Sequence, residues 1–249
     1  MLETSRKTRT NFHIAQRNYD LSEFRSGVKF LNGTKEEIED ISEIMKQYGC
    51  NVVSYSGENA TEESIYSLSD QSPQIIHLAT HGFWWGNESV ENSSYSPTLY
   101  ETEKYSKDKS MQSSGLFLSG CNVSLKGERL PYDIEDGILT ASEIANLNFG
   151  DTELVVLSAC QSGLGKVSGE GVYGMQRGFK LAGVNSLLMS LWPVDDTATR
   201  LLMVEFYEHL LNGDSKMTSL LKAQEYVRSL KKYEAPEYWA GFILLDALD

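Results

Sequence analysis

Short apolar runs alternate with longer amphipathic runs along the chain from Gly27 onward. Short runs rich in β-branched residues predict buried strands, and longer runs with apolar residues on one helical face predict helices. The predicted strands cover residues 28–31, 51–55, 74–80, 153–159, 185–191 and 238–245, with a strand or hairpin arm at 115–118. The predicted helices cover residues 36–48, 61–68, 140–147, 195–211 and 216–230, and a glycine-rich turn at 163–174 leads to another that ends at Leu181. This alternation predicts a parallel sheet covered by helices on both faces.

Two helix starts carry a capping signal. Thr34 is a candidate N-cap for the first helix, and Thr140 with Glu143 has the spacing of a capping box. The residues before the first strand are polar, mildly basic and without a clear period. We therefore interpret residues 1–24 as a polar tail or a junction to an upstream region, and residues 25–249 as one α/β domain.

The chain of 249 residues has 22 basic and 35 acidic residues, a net charge of −13. An acidic surface repels phosphate, which argues against nucleic acid and against an anionic membrane as partners. No run approaches the roughly 18 apolar residues of a membrane helix, and the first twenty residues have no apolar core like that of a signal peptide. These features predict a soluble cytoplasmic protein.

The cysteines are Cys50, Cys121 and Cys160, an odd number with wide spacing. They form no CxxC pair, and no histidine lies at zinc-ligand spacing. We expect a reducing compartment, no structural metal and no cofactor.

Two predicted strands end on residues with reactive side chains. His81 directly follows the strand at 74–80, and Cys160 directly follows LVVLSA. The carboxyl ends of parallel strands meet at one edge of a sheet, so the imidazole and the thiol can meet there although they are far apart in sequence. Such a pair suits acyl transfer, in which the imidazole takes the thiol proton and the thiolate attacks a carbonyl carbon. The backbone N–H groups of Gly82 and Cys160 are candidate oxyanion donors.

The alternative for each residue is a structural role. A lone cysteine is usually a small buried hydrophobe, and this is our interpretation of Cys50 and Cys121. A lone histidine is usually a hydrogen-bonded structural residue, and we expect His77, inside the strand, to be one. The pairing of His81 with Cys160 at two strand ends is what favours an enzyme.

Several long motifs in order make the chain resemble the CHAT domain, a bacterial relative of caspases and separases within the caspase-fold cysteine peptidases. They are IIHLATHG, SGLFLSGCN, DGILTASEIANLNF, LVVLSACQSGLG, GEGVYGMQRGFKLAGVNSLLMSLWPVDDTAT and PEYWAGFIL, between about Gly27 and Leu245. The resemblance implies a caspase-like three-layer α/β/α sandwich with a mostly parallel central sheet. It also implies that His81 and Cys160 form the His–Cys dyad of the family. Members commonly have tetratricopeptide repeats fused upstream, which this chain lacks, so a regulatory protein or repeat-domain subunit is an expected partner.

Caspase-like proteases bind an extended protein or peptide substrate, and one pocket gives specificity. The expected pocket wall follows the strand at 185–191, where Trp192, Asp195 and Asp196 combine an aromatic surface with two carboxylates. We hypothesise that one aspartate pairs with a Lys or Arg side chain just before the cleaved bond, as in separase-like relatives. Glu170 is a further candidate for an acidic cleft. For Asp195 the alternative is that it caps the following helix.

These features predict a cysteine endopeptidase in a regulated bacterial defence or signalling system. Two other functions stay open at this point. One is a catalytically silent scaffold that keeps the fold to recruit partners, and the other is a thiol hydrolase acting on a small ester or amide.

Overall fold

The computed structural model describes residues 27–29, 31–84, 110–128, 131, 134–158 and 169–245. Within these ranges the strands are β1 (Ile75–Leu78), β2 (His81–Trp84), β3 (Ser114–Phe117), β4 (Ile138–Thr140), β5 (Leu154–Leu157), β6 (Ser186–Ser190) and β7 (Phe242–Leu245). The α-helices are α1 (Asn32–Gln47), α2 (Glu62–Tyr66), α3 (Cys121–Leu125), α4 (Ala141–Ile144), α5 (Gly169–Leu181), α6 (Asp196–Leu211) and α7 (Lys216–Ser229). Short 3₁₀ helices cover Gly57–Asn59 and Pro236–Tyr238.

The central sheet has the order β1-β5-β6-β7. β1, β5 and β6 run parallel, and β7 closes the far side antiparallel to β6. All four residues of β5 are buried, as expected for a parallel strand covered on both faces. The mostly parallel sheet predicted from the alternating pattern is confirmed.

Alternate residues of β5 point to opposite faces of the sheet and enter two separate cores. Leu154 and Val156 pack in a cluster with side chains of α1, α6 and α7. Val155 and Leu157 pack in a second cluster with side chains of α2, α4 and α5. Helices therefore cover both faces, which confirms the three-layer α/β/α arrangement.

A second, antiparallel sheet has the order β2-β3-β4. Of this sheet, the pattern predicted only β3. β2 follows β1 after two residues and begins with His81 and Gly82, and β4 has three residues and ends where α4 begins, so neither carries a strand pattern of its own. Gly115 is needed in β3, since a Cβ there would lie 2.2 Å from the carbonyl oxygen of Leu139 and 2.5 Å from the ring of Phe83. The first residue of this sheet is His81.

Three local predictions at the start of the domain are wrong. Residues 51–55 and the described residues of the 28–31 segment form no strand, because none of them joins a ladder in the described part of the chain. Helix α1 begins at Asn32, so Thr34 lies inside the helix and donates to the carbonyl of Leu31 rather than capping it. The last strand is also shorter than predicted, because Tyr238 ends a 3₁₀ helix and residues 239–241 form a turn before β7.

Helices α6 and α7 agree with the predicted ranges to within one residue, whereas α2 and α4 end two and three residues earlier than predicted. Thr140 and Glu143 form the predicted capping box at α4, with Thr140 N–H donating to the Glu143 carboxylate at 2.7 Å. The helix that follows the glycine-rich turn already begins at Gly169. None of the helices in the described ranges combines the length and the apolar character that a membrane span requires.

Glu62, the first residue of α2, is a buried carboxyl group next to β4. Its side chain accepts hydrogen bonds from the Ile138 backbone N–H at 3.0 Å and from the Tyr66 hydroxyl at 2.8 Å. Burial, and then the nearby Asp136 carboxylate, raise the pKa of Glu62 to about 8. The group is therefore largely protonated in the folded protein at neutral pH.

Glu62→Gln should remove a pH-dependent loss of stability. The pKa of Glu62 is higher in the folded than in the unfolded chain, so its contribution is fully present below its unfolded pKa and is lost as pH rises from about 4.5 towards 8. Across this window the free energy of unfolding of the wild type should fall relative to Glu62→Gln by an amount on the order of a few kcal/mol. Urea unfolding at several pH values measures it.

The neighbouring Glu63→Gln is the matched control. Glu63 has a lowered pKa, to which its bond from the Glu135 backbone N–H contributes, so its contribution has the opposite sign and is lost as pH falls. Parallel stability profiles for Glu62→Gln and wild type between pH 4.5 and 8 would show that Glu62 is not held protonated.

Candidate active site

His81 lies where the two sheets meet. β1 ends at Leu78, and after two residues the chain enters β2 with His81 opposite Phe117 of β3. The hydroxyl of Thr80 donates to the carbonyl of Phe117 and so fixes the turn between the strands. His81 thus follows the end of β1 as predicted, but it is also the first residue of an antiparallel strand that the pattern missed.

The His81 ring is held by a backbone carbonyl. Its Nε2 lies 2.7 Å from the carbonyl oxygen of Lys29. A carbonyl oxygen only accepts, so Nε2 carries the proton and Nδ1 of the neutral ring keeps its lone pair. Nδ1 is buried and has no hydrogen-bond partner among the described residues. The ring therefore presents one oriented, unused acceptor.

The predicted nucleophile, Cys160, lies outside the described residues. The last described residue before it is Ser158, whose backbone N–H donates to the carbonyl of Leu78 at 3.0 Å. Gly82 is buried in β2 opposite Leu116. The roles of Gly82 and Cys160 as oxyanion donors stay predictions.

Asp195 and Asp196 have different surroundings. Asp195 is the N-cap of α6, and its carboxylate accepts from the Ala198 backbone N–H at 3.0 Å, so the capping alternative holds for this residue. Asp196 is the first residue of α6, and its side chain lies against Gly33 of α1, where an added Cβ would be 2.7 Å from the Asp196 Cβ. No hydrogen bond or ion pair engages its carboxylate within the described part of the chain.

The electrostatic surroundings link Asp196 to the histidine. Partial burial, and then the charges of Asp195 and Glu37, raise the pKa of Asp196, while the charge of His81 lowers it. Coulomb interactions of this kind require groups that lie near each other. Asp196 and His81 therefore interact electrostatically, and the role of Asp196 in specificity stays a prediction.

Trp192 is a partly buried side chain that contacts the core and the Gly241 backbone. Its indole N–H donates to the carbonyl of Glu237 at 3.1 Å, and its ring lies against Gly241, where a Cβ would be 2.9 Å from Cε2. The ring packs on the core formed with α1, α6 and α7. Glu170 belongs to α5, and its side chain lies outside the described part of the structure.

A buried polar triad under the site was only partly predicted. His77 bonds through Nδ1 to the hydroxyl of Tyr207 and through Nε2 to the carboxylate of Glu37, both at 3.0 Å. This confirms the structural role expected for His77. Glu37 and Tyr207 are 2% and 0% exposed, so these bonds satisfy polar groups that water does not reach. Glu37 precedes the buried Ile41 by one helical turn, and that spacing was the available signal that Glu37 faces the core.

Metal chemistry has no candidate residues in the described ranges, because no three His, Cys, Asp or Glu side chains converge there in a way that would hold an ion.

Cys121 is buried, and burial raises the pKa of its thiol to about 11. A thiol with so high a pKa is a poor nucleophile at neutral pH. The structural interpretation of Cys121 is therefore supported.

Comparison with known proteins shows the family to which the chain belongs. The model of the CHAT domain matches residues 3–247. Human tetratricopeptide repeat protein 28 is 31% identical over 228 residues, and the mouse protein of the same name is equally similar. The match covers 86% of this chain but only 8% of either relative. The chain thus corresponds to one small part of much longer proteins, and a bacterial setting stays a prediction.

Substitutions of Asp195 and Asp196 should have different effects on the free energy of unfolding. Asp195→Ala removes the cap of α6 and should lower the free energy of unfolding by about 1 kcal/mol. Asp196→Asn, its matched control, should leave stability unchanged or raise it near neutral pH, because the raised pKa of Asp196 means that the fold disfavours its charged form. Urea unfolding of both variants measures this, and equal losses would contradict the division of roles.

Proposed function

Because the chain belongs to the CHAT domain family, which is related to caspase-like cysteine peptidases, we propose that it is a cysteine endopeptidase with Cys160 as nucleophile and His81 as base. The observation that carries the proposal is the His81 ring. Its Nε2 is engaged by the Lys29 carbonyl, and its buried Nδ1 keeps a free lone pair. A histidine held in this way is prepared to accept a proton from a thiol.

The strand register supports the pairing of the two residues. Leu78 of β1 lies opposite Leu157 of β5 in a parallel ladder. His81 and Cys160 each follow their member of this pair by three positions. Neighbouring strands are about 4.8 Å apart, so chains leaving them at the same end begin close enough for a thiol and an imidazole to meet.

The proposed reaction is acyl transfer to the thiol. Nδ1 of His81 takes the proton of the Cys160 thiol, and the sulfur attacks the carbonyl carbon of the substrate peptide bond. The leaving amine takes the proton from the imidazolium as the bond breaks, and water then hydrolyses the thioester.

The proposed substrate has a Lys or Arg residue just before the cleaved bond. Asp196 supports this preference, because it lies near His81 and its carboxylate has no partner among the described residues, while Asp195 is used as a helix cap. An Arg or Lys side chain that reaches Asp196 gains a charge-assisted hydrogen bond. The name of the mammalian relatives supports a further part of the proposal, that a tetratricopeptide-repeat region or subunit controls the enzyme.

His81→Ala and Cys160→Ala should each abolish peptide cleavage. Loss of proton transfer alone costs about 100-fold or more in rate. The matched control is Lys29→Ala, which keeps the carbonyl that holds the ring and should retain most activity. A peptide library analysed by mass spectrometry measures cleavage. Cleavage that persists in Cys160→Ala would overturn the dyad, and a wild type that cleaves neither peptides nor small esters would favour the scaffold.

The preference for a basic residue should depend on pH through Asp196. The pKa of Asp196 is raised, so as pH falls its carboxylate takes up a proton at a higher pH than an ordinary aspartate, and the attraction for Lys and Arg is lost there. In the wild type, the ratio of kcat/KM for an Arg substrate to kcat/KM for its citrulline analogue should therefore decrease as the pH is lowered. In Asp196→Asn the ratio should be low and independent of pH, and a wild-type ratio in the variant would exclude Asp196 as the specificity residue.

A further inference from the structure

Asn122, the last residue of the motif SGLFLSGCN, forms two hydrogen bonds with the backbone of one distant residue. Its Oδ1 accepts from the Val28 N–H at 2.6 Å, and its Nδ2 donates to the Val28 carbonyl at 3.0 Å. A neighbouring strand would satisfy both backbone groups of a residue in the same way. Residues 27–29 join no ladder among the described residues, so this side chain takes the place of a strand partner.

The chain around Val28 is fitted to this contact. Gly27 has a φ of +80°, and a Cβ there would lie 3.0 Å from Oδ1 of Asn122. Glycine therefore allows both the backbone conformation and the close approach. The Val28 side chain packs against the small core of the second sheet, which includes Phe117 of β3 and Leu125 of α3. Val28 is thus held through its side chain as well as through its backbone.

Asn122 itself extends from a closely packed turn at the start of α3. A Cβ on Gly137 would lie 2.2 Å from the backbone nitrogen of Cys121, so the chain at residue 137 lies directly against this turn. The Cys121 N–H donates to the Leu118 carbonyl at 3.2 Å, and the Leu118 N–H donates to the Gly137 carbonyl at 2.8 Å. The second sheet therefore determines where the Asn122 amide lies.

The next carbonyl after Val28 is the one that His81 uses. It belongs to Lys29 and lies 2.7 Å from His81 Nε2. His81 is the first residue of β2, which is part of the same sheet that holds Asn122 and Val28. The ring and the oxygen that accepts its proton are thus both attached to the second sheet.

We propose that Asn122 is a positioning residue for His81. By fixing the backbone at Val28, it holds the Lys29 carbonyl where that oxygen keeps the proton of the neutral ring on Nε2. Without the Asn122 amide, this segment keeps the packing of the Val28 side chain but loses both hydrogen bonds of the Val28 backbone.

The tautomer of His81 is the property that this contact controls. A neutral imidazole without a fixed acceptor populates both tautomers, and in one of them Nδ1 carries the proton and cannot take another. The consequence for the base rests on the proposed function, whereas the contact and its effect on the tautomer do not.

Amide hydrogen exchange of Val28 tests the contact itself. In the wild type this amide should exchange slowly, because its N–H is bonded to Asn122 although residue 28 belongs to no helix or strand. In Asn122→Ala it should exchange roughly tenfold faster or more, as expected for the loss of one hydrogen bond. Fast exchange in the wild type would show that Asn122 does not hold the segment and would overturn the proposal.

Nitrogen-15 NMR of the His81 ring at alkaline pH tests the positioning. The wild type should carry the proton on Nε2 alone, and Asn122→Ala should give a mixture of both tautomers. Asn122→Asp keeps the acceptor for the Val28 N–H but places an oxygen against the Val28 carbonyl, so it should change the ring in the same direction to a smaller extent. A ring that stays wholly protonated on Nε2 in both variants contradicts the proposal.

Asn148→Ala is the matched control. The Asn148 side chain also makes two hydrogen bonds, since it donates to the Asp70 carboxylate at 2.7 Å and accepts from the Gly150 N–H at 3.3 Å. These residues precede β1 and β5 and so lie at the opposite end of the central sheet from His81. The control should change neither the His81 tautomer nor the exchange of Val28. If it produces the same mixture of tautomers at a similar loss of stability in urea, the effect is a general loosening of the fold and Asn122 has no specific role.

Peptide cleavage separates this proposal from the proposed function. In Asn122→Ala, kcat should fall by up to about 100-fold with KM nearly unchanged, because a misplaced base slows proton transfer. A mixture of tautomers in this variant, together with a wild type that cleaves no peptide, would support the positioning role and overturn the proposed function. A fall in kcat with an unchanged tautomer would overturn the positioning role alone.

Discussion

The parallel pairing of β1 with β5 is the constraint on which the site depends. It joins two strands that are more than 70 positions apart in the chain, with Leu78 opposite Leu157. Side chains of both strands pack against helices, so the register is set by side chains that enter two different cores. A shift by one residue would turn Leu154 and Val156 to the wrong core and would also move the strand ends apart. The packing that stabilises the sheet therefore also determines which residues meet at its edge.

The histidine depends on atoms from a third part of the chain. Lys29 contributes only its carbonyl oxygen, and that oxygen determines which ring nitrogen carries the proton. Glu37 of α1 is hydrogen-bonded to His77 of β1, and His77 is hydrogen-bonded to Tyr207 of α6. The triad thus ties together the helix that follows Lys29, the strand that precedes His81 and the helix that begins at Asp196. The charge of Glu37, a member of this triad, also raises the pKa of Asp196, the proposed specificity residue.

The predictions from sequence succeeded where a segment determines its own surroundings. β5 is a continuous apolar run, β1 is apolar except for His77, and the cap of α4 needs only Thr140 and Glu143, so these features were predictable. β2, with His81 and Gly82 at its start, and β4, with three residues, carry no strand pattern of their own, and in the structure both pair with β3. Residues 51–55 have the composition of a strand, but a strand also needs a neighbour.

The same reasoning explains which parts of the site were found. His81 follows a buried strand and was predicted from that position, while its partner, the Lys29 carbonyl, is a backbone atom that leaves no sequence signal. For Asp195 the sequence left open whether the side chain caps the following helix or belongs to the pocket. The structure assigns the cap to Asp195 because its carboxylate reaches the Ala198 N–H, which leaves the Asp196 carboxylate beside Gly33 and near His81.

The central claim is that His81 is held through Nε2 and offers Nδ1 as a base. Nitrogen-15 NMR of the histidine side chains, with His81 assigned by comparison with His81→Gln, reports directly which ring nitrogen carries the proton. At alkaline pH, where the ring is neutral, we predict a protonated Nε2 and an unprotonated Nδ1 for His81 in both wild type and Lys29→Ala. A neutral ring protonated on Nδ1, or a rapid mixture of both tautomers, would contradict the account.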